Sequence, residues 1–279
     1  MEANILSNTI KNILGTETKV DVSMVQKGNR TLTGVSIGNE RIRPMVYMEH
    51  YEDLFRAKGY EAVAREIIKT LNEAEIPDFE IPQIASWEYV KNNLILCIAP
   101  AGTNDDIVTI PYLDLELFFR VNLDNANMKD GTYKVTELML TEWNVTKEDL
   151  LDVATRTNIY VVKSMRDTLK EMMGDMFDDS LEIPPEQDQT VITTEDSRFG
   201  ASALYNKELL KEIADKYKSD LYIIPSSIHE LIALPINNAA SKEDMDSMVK
   251  QVNETEASPE EVLADHAYIF HRDTMEIEW

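Results

Sequence analysis

The densest grouping of reactive side chains in this sequence is Pro225-Ser226-Ser227-Ile228-His229-Glu230, which sets two hydroxyls, an imidazole and a carboxylate side by side. A hydrolase would need one hydroxyl activated by the imidazole, a carboxylate orienting that imidazole, and an oxyanion hole. Adjacency in sequence does not supply that geometry. Triad members are usually drawn from separate segments, and this stretch is not the Gly-x-Ser-x-Gly elbow. The same residues suit a turn whose Ser and His side chains bond local backbone groups, or a loop that holds a ligand or partner.

The chain has four histidines and one cysteine. His266 and His271 lie in Asp265-His266-Ala267-Tyr268-Ile269-Phe270-His271. On a strand side chains alternate, so this odd spacing sends the two rings to opposite faces and argues against a shared metal. Cys97 sits in the apolar run Leu94-Ile95-Leu96-Cys97-Ile98-Ala99 and reads as a buried, inert thiol. No Cys or His spacing makes a zinc site. Asp124 to Gly131 is the nearest approach to a calcium loop, but Lys129 interrupts it and the glycine falls too late. No Gly-rich or Gly-Lys-Ser/Thr phosphate loop occurs. The expectation is therefore no metal and no cofactor. The 13 methionines, with Met165, Met172, Met173 and Met176 close together, read as core filling or as an adaptable apolar surface for a peptide.

These residues need elements to hold them. The 279-residue chain is 43% apolar, enough for a real core. Lys and Arg number 27 against 51 Asp and Glu, a formal charge of −24, which disfavours nucleic acid and acidic membrane faces. No apolar run reaches the ~20 residues of a membrane span, and Met1-Glu2-Ala3-Asn4 lacks the basic start of a signal peptide. The chain reads as soluble and cytoplasmic.

Periodicity predicts a helix over 3–14 and a hairpin over 20–37 turning at Lys27-Gly28-Asn29-Arg30, then a strand at 45–48. A helical stretch over 49–75 breaks at Lys58-Gly59. A helical turn at 87–92 precedes strands at 94–99 and 107–110 joined by the loop 101–106. Strands at 115–121 and 133–140 form a second pair. Helices start at Thr146 and run over 163–173. Beyond these come a strand at 201–205, a helix capped by Asn206, strands at 221–224 and 231–234 around the Ser/His turn, helices opened by Ser241 and by Ser258-Pro259, and a strand at 268–270. From Glu171 to Asp196 there are acidic residues and no Lys or Arg, with Pro184-Pro185 inside, which reads as a linker. The expected fold class is α+β, with antiparallel sheets, helices packed on one face and two subdomains. The expected division is an N-terminal α+β region over 1–177, an acidic linker over 178–197 and a C-terminal α+β module over 198–279.

Three stretches, 200–205, 219–230 and 252–266 with Val252-Asn253 and Pro259-Glu260-Glu261-Val262-Leu263-Ala264-Asp265-His266, resemble a bacterial family of unknown function, the one numbered 5688. Leu32-Thr33-Gly34 and Pro44-Met45-Val46-Tyr47-Met48 extend the resemblance over nearly the whole chain. The resemblance implies a bacterial intracellular protein and assigns no residue a role. The reading favoured is a non-enzymatic module that binds a protein or peptide, with Ser226, Ser227, His229, Glu230 and His266 as candidate binding residues. The alternative is a hydrolase using Ser227 or Ser226 with His229.

Overall fold

The computed structural model describes residues 1–27, 30–39, 43–74, 81–103, 107–126, 131–178, 189–238 and 240–279. Chain contacts divide it into two units, Met1–Phe79 and Glu80–Trp279.

In the first unit α1 (Ala3–Leu14) is followed by β1 (Val20–Lys27), β2 (Arg30–Ile37), β3 (Val46–Tyr47) and α2 (Glu52–Glu73). The expected hairpin is present, with β1 and β2 paired antiparallel from Val20↔Ile37 to Lys27↔Arg30. Its turn residues Gly28 and Asn29 lie outside the described residues. The expected break in the long helix falls at Gly59, whose φ of 75° and ψ of −175° suit a residue without Cβ. Leu6 and Ile10, one turn apart on α1, pack against Val63, Ala64, Ile67 and Leu71 of α2, with Val35 and Met48 closing the cluster.

The second unit runs through α3 (Ile81–Ile84), α4 (Trp87–Asn93), β4 (Leu94–Pro100), β5 (Thr109–Tyr112), β6 (Leu115–Asn122), β7 (Thr132–Lys134), α5 (Glu137–Trp143), α6 (Lys147–Thr157), β8 (Tyr160–Ser164) and α7 (Met165–Met173). It continues with β9 (Thr190–Thr194), α8 (Lys207–Tyr217), β10 (Leu221–Ser227), β11 (Glu230–Pro235), α9 (Lys242–Thr255), β12 (Tyr268–Phe270) and β13 (Ile277–Glu278). One sheet has the order β4-β6-β5, with β7 also on β6, and the other the order β13-β12-β10-β11-β9-β8. Every pairing is antiparallel. Among the described residues the chain is thus a mixed α+β protein with nine helices and three antiparallel sheets.

The main core takes Leu94, Leu96, Ile98, Leu117 and Phe119 from one sheet and Ile192, Leu221, Ile223, Leu231, Tyr268 and Phe270 from the other. Leu210 and Ile213 of α8 join it. The opposite face of the six-stranded sheet, with Tyr222, Ile224, Leu234 and Ile269, packs on Met245 of α9.

Several expectations need correction. Residues 201–205 are not a strand but part of a buried 3-10 helix, Gly200–Tyr205. The small residues Gly200, Ala201, Ser202 and Ala203 let this segment press directly against the sheet. A Cβ at Gly200 would lie 2.5 Å from Thr193 Cα and 2.6 Å from the His229 carbonyl oxygen. No helix opens at Ser258. A single turn forms there, closed by Glu261 N–H on the Ser258 carbonyl at 2.8 Å. The Glu261 carbonyl is instead taken by Ile228 N–H at 2.9 Å. The strand expected over 133–140 stops at Lys134, and 137–143 is helical. β4 and β5 do not pair with each other; both pair with β6. Residues 104–106 of their connection lie outside the described residues, as do 127–130 of the loop weighed for calcium.

The acidic stretch also holds structure that its composition hides. Of 178–197, residues 179–188, with Pro184-Pro185, lie outside the described residues, while 190–194 form β9 inside the six-stranded sheet. That sheet draws strands from both sides of the expected linker, whereas the division of the chain into two units falls between Phe79 and Glu80.

Candidate functional site

β10 and β11 flank the Ser/His turn and hold it on a rigid base. Their register shifts between Pro225 and Ser227. A bulge of this kind bends the strand and re-aims the side chains beside it. Ser226 Oγ donates to Glu230 Oε1 at 3.0 Å. Ser227 Oγ accepts from His229 N–H at 3.0 Å. The His229 carbonyl accepts from Gly200 N–H at 2.9 Å and from Thr193 Oγ1 at 3.0 Å.

The His229 side chain faces the protein. Its Nδ1 accepts from Phe199 N–H at 3.1 Å, and its ring lies 5.5 Å from the Phe199 ring. Nε2 is 3.8 Å from Glu261 Oε1. Burial pushes the imidazole below its usual range, against the pull of Glu261. In the neutral ring Nδ1 is the acceptor and Nε2 carries the proton. The lone pair a general base requires is thus already occupied by the backbone of Phe199. Each serine hydroxyl bonds elsewhere, Ser226 to Glu230 and Ser227 to the His229 backbone, so neither makes the Ser–His contact of a triad.

Residues 3–272 match the model of DUF5688, a family of unknown function. The chain belongs to the DUF5688 family. No curated protein and no solved structure matches it. The match covers the Ser/His turn, so the arrangement just described lies within the family region of this DUF5688 member.

The candidate residues are dispersed over three places. His229, with the Ser227 hydroxyl on its backbone, supports Phe199. Ser226 lines an apolar groove of about 310 Å³ between α9 and the sheet, with Ile224, Ile232, Leu234, Met245 and Met248. His266 stands apart, its Nε2 2.9 Å from Asp114 Oδ2 in the turn between β5 and β6. Tyr268 OH donates to the other oxygen, Asp114 Oδ1, at 2.8 Å. Burial and Asp114 together push the Tyr268 phenol far up, so it stays a donor. His271 bonds Asp220 at 3.0 Å and Glu278 at 3.3 Å, so the two C-terminal histidines serve different carboxylates. Cys97 is buried and free, and burial pushes its thiol up to about 12. Among the described residues no helix is long and apolar enough to cross a membrane.

Residues the sequence reading passed over complete the site. Phe199 has a φ of 58°, a left-handed conformation that turns its N–H toward His229. Its carbonyl accepts from Ser202 Oγ at 2.8 Å. Ser202 in turn meets Tyr160 OH at 3.1 Å and Asn158 Nδ2 at 3.2 Å. Asn158 accepts from Leu96 N–H at 2.9 Å and donates to the Leu96 carbonyl at 3.1 Å, which joins the loop before β8 to β4. The signal available in the sequence was Phe199-Gly200 itself, a bulky residue followed by the one residue type that fits a close backbone approach.

Proposed function

We propose that this chain is a non-enzymatic module that binds a protein or peptide, taking apolar anchor side chains into the groove between α9 and β10–β11. The groove itself carries the reading. Met245, Met248, Val249 and Val252 recur at helical spacing along α9 and line it from one side. Met245 and Val249 are buried, while Met248 and Val252 are 44% and 48% exposed, so the stripe is only half covered. Ile224, Ile232 and Leu234 form the floor, and Ser226, Gln189 and Asn253 add polar groups among the lining residues. Methionine adapts its shape to what it meets, which suits a surface that receives short apolar side chains. Hydrophobic lining with a few placed polar groups is the usual composition of a recognition cleft.

The reading is tested by selecting peptides from a displayed random library on the folded protein. Enriched peptides should carry apolar anchors, and their binding should be lost in Val252→Glu and Met248→Glu proteins that melt as the parent does. No enrichment, or binding indifferent to both substitutions, overturns it.

A further inference from the structure

In a chain of formal charge −24, cations gather on one face of the smaller sheet of the second unit. Arg120 of β6 lies directly across from Lys134 of β7 and, on its other side, from Ile95 of β4. Cross-strand partners point to the same face, so two like charges stand side by side, an arrangement that costs stability. Arg198 adds a third positive charge close enough to be felt at Arg120. A like-charge pair on one sheet face breaks a local rule, and such breaks fall at functional or strained sites.

The three cations are not equivalent. Arg198 pairs with Asp196 at 2.7 Å and Asp124 at 3.4 Å. Lys134 sits over the Phe118 ring at 5.5 Å and feels Glu116. Arg120 is half-buried and is held by neutral groups: its Nε donates to Thr132 Oγ1 at 2.7 Å, and its guanidinium carbon lies 5.2 Å from the centre of the Phe199 ring. Among the described residues its guanidinium meets no carboxylate. A half-buried guanidinium stays charged, and its terminal N–H groups form a planar fork that matches two oxygens of one anion.

We propose that Arg120, with Lys134 beside it and Phe199 beneath it, forms a binding site for an oxyanion, a carboxylate or phosphoryl group. Thr132 holds Nε and the Phe199 ring packs against the guanidinium, so the side chain is anchored at two points before the anion arrives. An arriving anion relieves the Arg120–Lys134 repulsion. Asp196 and Asp124 are already paired with Arg198. His229 acts here as a positioning residue: it holds Phe199, and Phe199 holds Arg120. The site uses none of the residues that line the α9 groove and stands or falls independently of that reading.

Wild-type protein is titrated separately with inorganic phosphate and with succinate, at ionic strength held constant with sodium chloride, following heat and the Arg Nε–Hε resonances. Saturable one-to-one binding of either, with one Arg Nε resonance moving, is expected. Saturation by phosphate alone identifies a phosphoryl site, by succinate alone a carboxylate site. Arg120→Gln should weaken binding by about ten- to a hundredfold, the worth of a charge-assisted pair. Arg120→Lys, which keeps the charge and loses the fork, should fall between. The exposed Arg156→Gln should bind as wild type. Should Arg120→Gln fail to fold, the wild-type titration and Arg120→Lys still decide. No saturable binding of either anion, or equal binding by Arg120→Lys and Arg156→Gln, overturns the proposal.

Discussion

Phe199 and His229 hold one another from both ends: Phe199 N–H donates to His229 Nδ1 at 3.1 Å, and the next amide, Gly200 N–H, donates to the His229 carbonyl at 2.9 Å. The pairing ties the β10–β11 turn to the loop after β9, two segments thirty residues apart. Removing the imidazole strands the Phe199 amide in a half-buried position. His229→Ala should therefore lose about 1–3 kcal/mol of stability. His229→Asn should recover part of this, because its Oδ1 stands as many bonds from Cα as Nδ1 does. Urea unfolding of the three proteins checks it. An unchanged midpoint in His229→Ala would mean the ring serves no structural role.

Gly200 is the second half of the same contact. A methyl group there meets backbone on both sides, at Thr193 Cα and the His229 carbonyl. Backbone cannot rotate away as a side chain can. Gly200→Ala should destabilise by about 1–3 kcal/mol or more, and should also weaken oxyanion binding if Phe199 shifts under Arg120. A urea midpoint equal to the parent's would show that the two segments can separate without cost.

Two histidines should bend the pH profile in opposite directions. His271 is raised, first by its bond to Asp220 and then by Glu278. Its contribution is fully present below the unfolded histidine value of about 6.5 and is lost as pH rises through the higher folded value. His229 is lowered by burial, so its contribution is present above about 6.5 and is lost as pH falls. His271 is exposed enough for solvent and salt to screen its share. Melting curves from pH 5 to 9 should show the alkaline decline reduced in His271→Gln and the decline just below pH 6.5 reduced in His229→Asn. The reverse assignment would refute the geometry at one or both rings.

What the sequence revealed follows from the range of the forces involved. Helix starts were legible because caps are local: Thr146 closes a capping box with Asp149, Asn206 accepts from Leu209 N–H, and Ser241 accepts from Asp244 N–H. The β1–β2 hairpin and the Gly59 break were legible for the same reason. β8 and β9 were missed, since Thr190–Thr194 follows an acidic run and its pairing partners lie in distant segments. Residues 201–205 read as a strand because alternation cannot register that Ala201, Ser202, Ala203 and Leu204 are all buried. At the site, the turn was picked out by residue type, but the direction of His229 depends on Phe199. The Arg120–Lys134 row becomes visible only once β6 and β7 are in register.

The division of the chain gives a last expectation. β11 pairs with β9 through Leu231↔Ile192, Ile232↔Val191 and Ala233↔Thr190, and Val191 and Ile192 are almost fully buried. A fragment spanning 198–279 lacks both, and it also lacks Leu96, Leu117 and Phe119, which fill the same core. It would expose the β11 edge and an uncovered apolar sheet face, the two features that lead chains to associate. A fragment spanning 80–279 keeps every one of these partners and corresponds to the second unit. We therefore expect 80–279 to show a cooperative thermal transition with near-ultraviolet circular dichroism, and 198–279 to show neither and to aggregate. A cooperative melt from 198–279 alone would place the true boundary inside 178–197, where the acidic composition first suggested it.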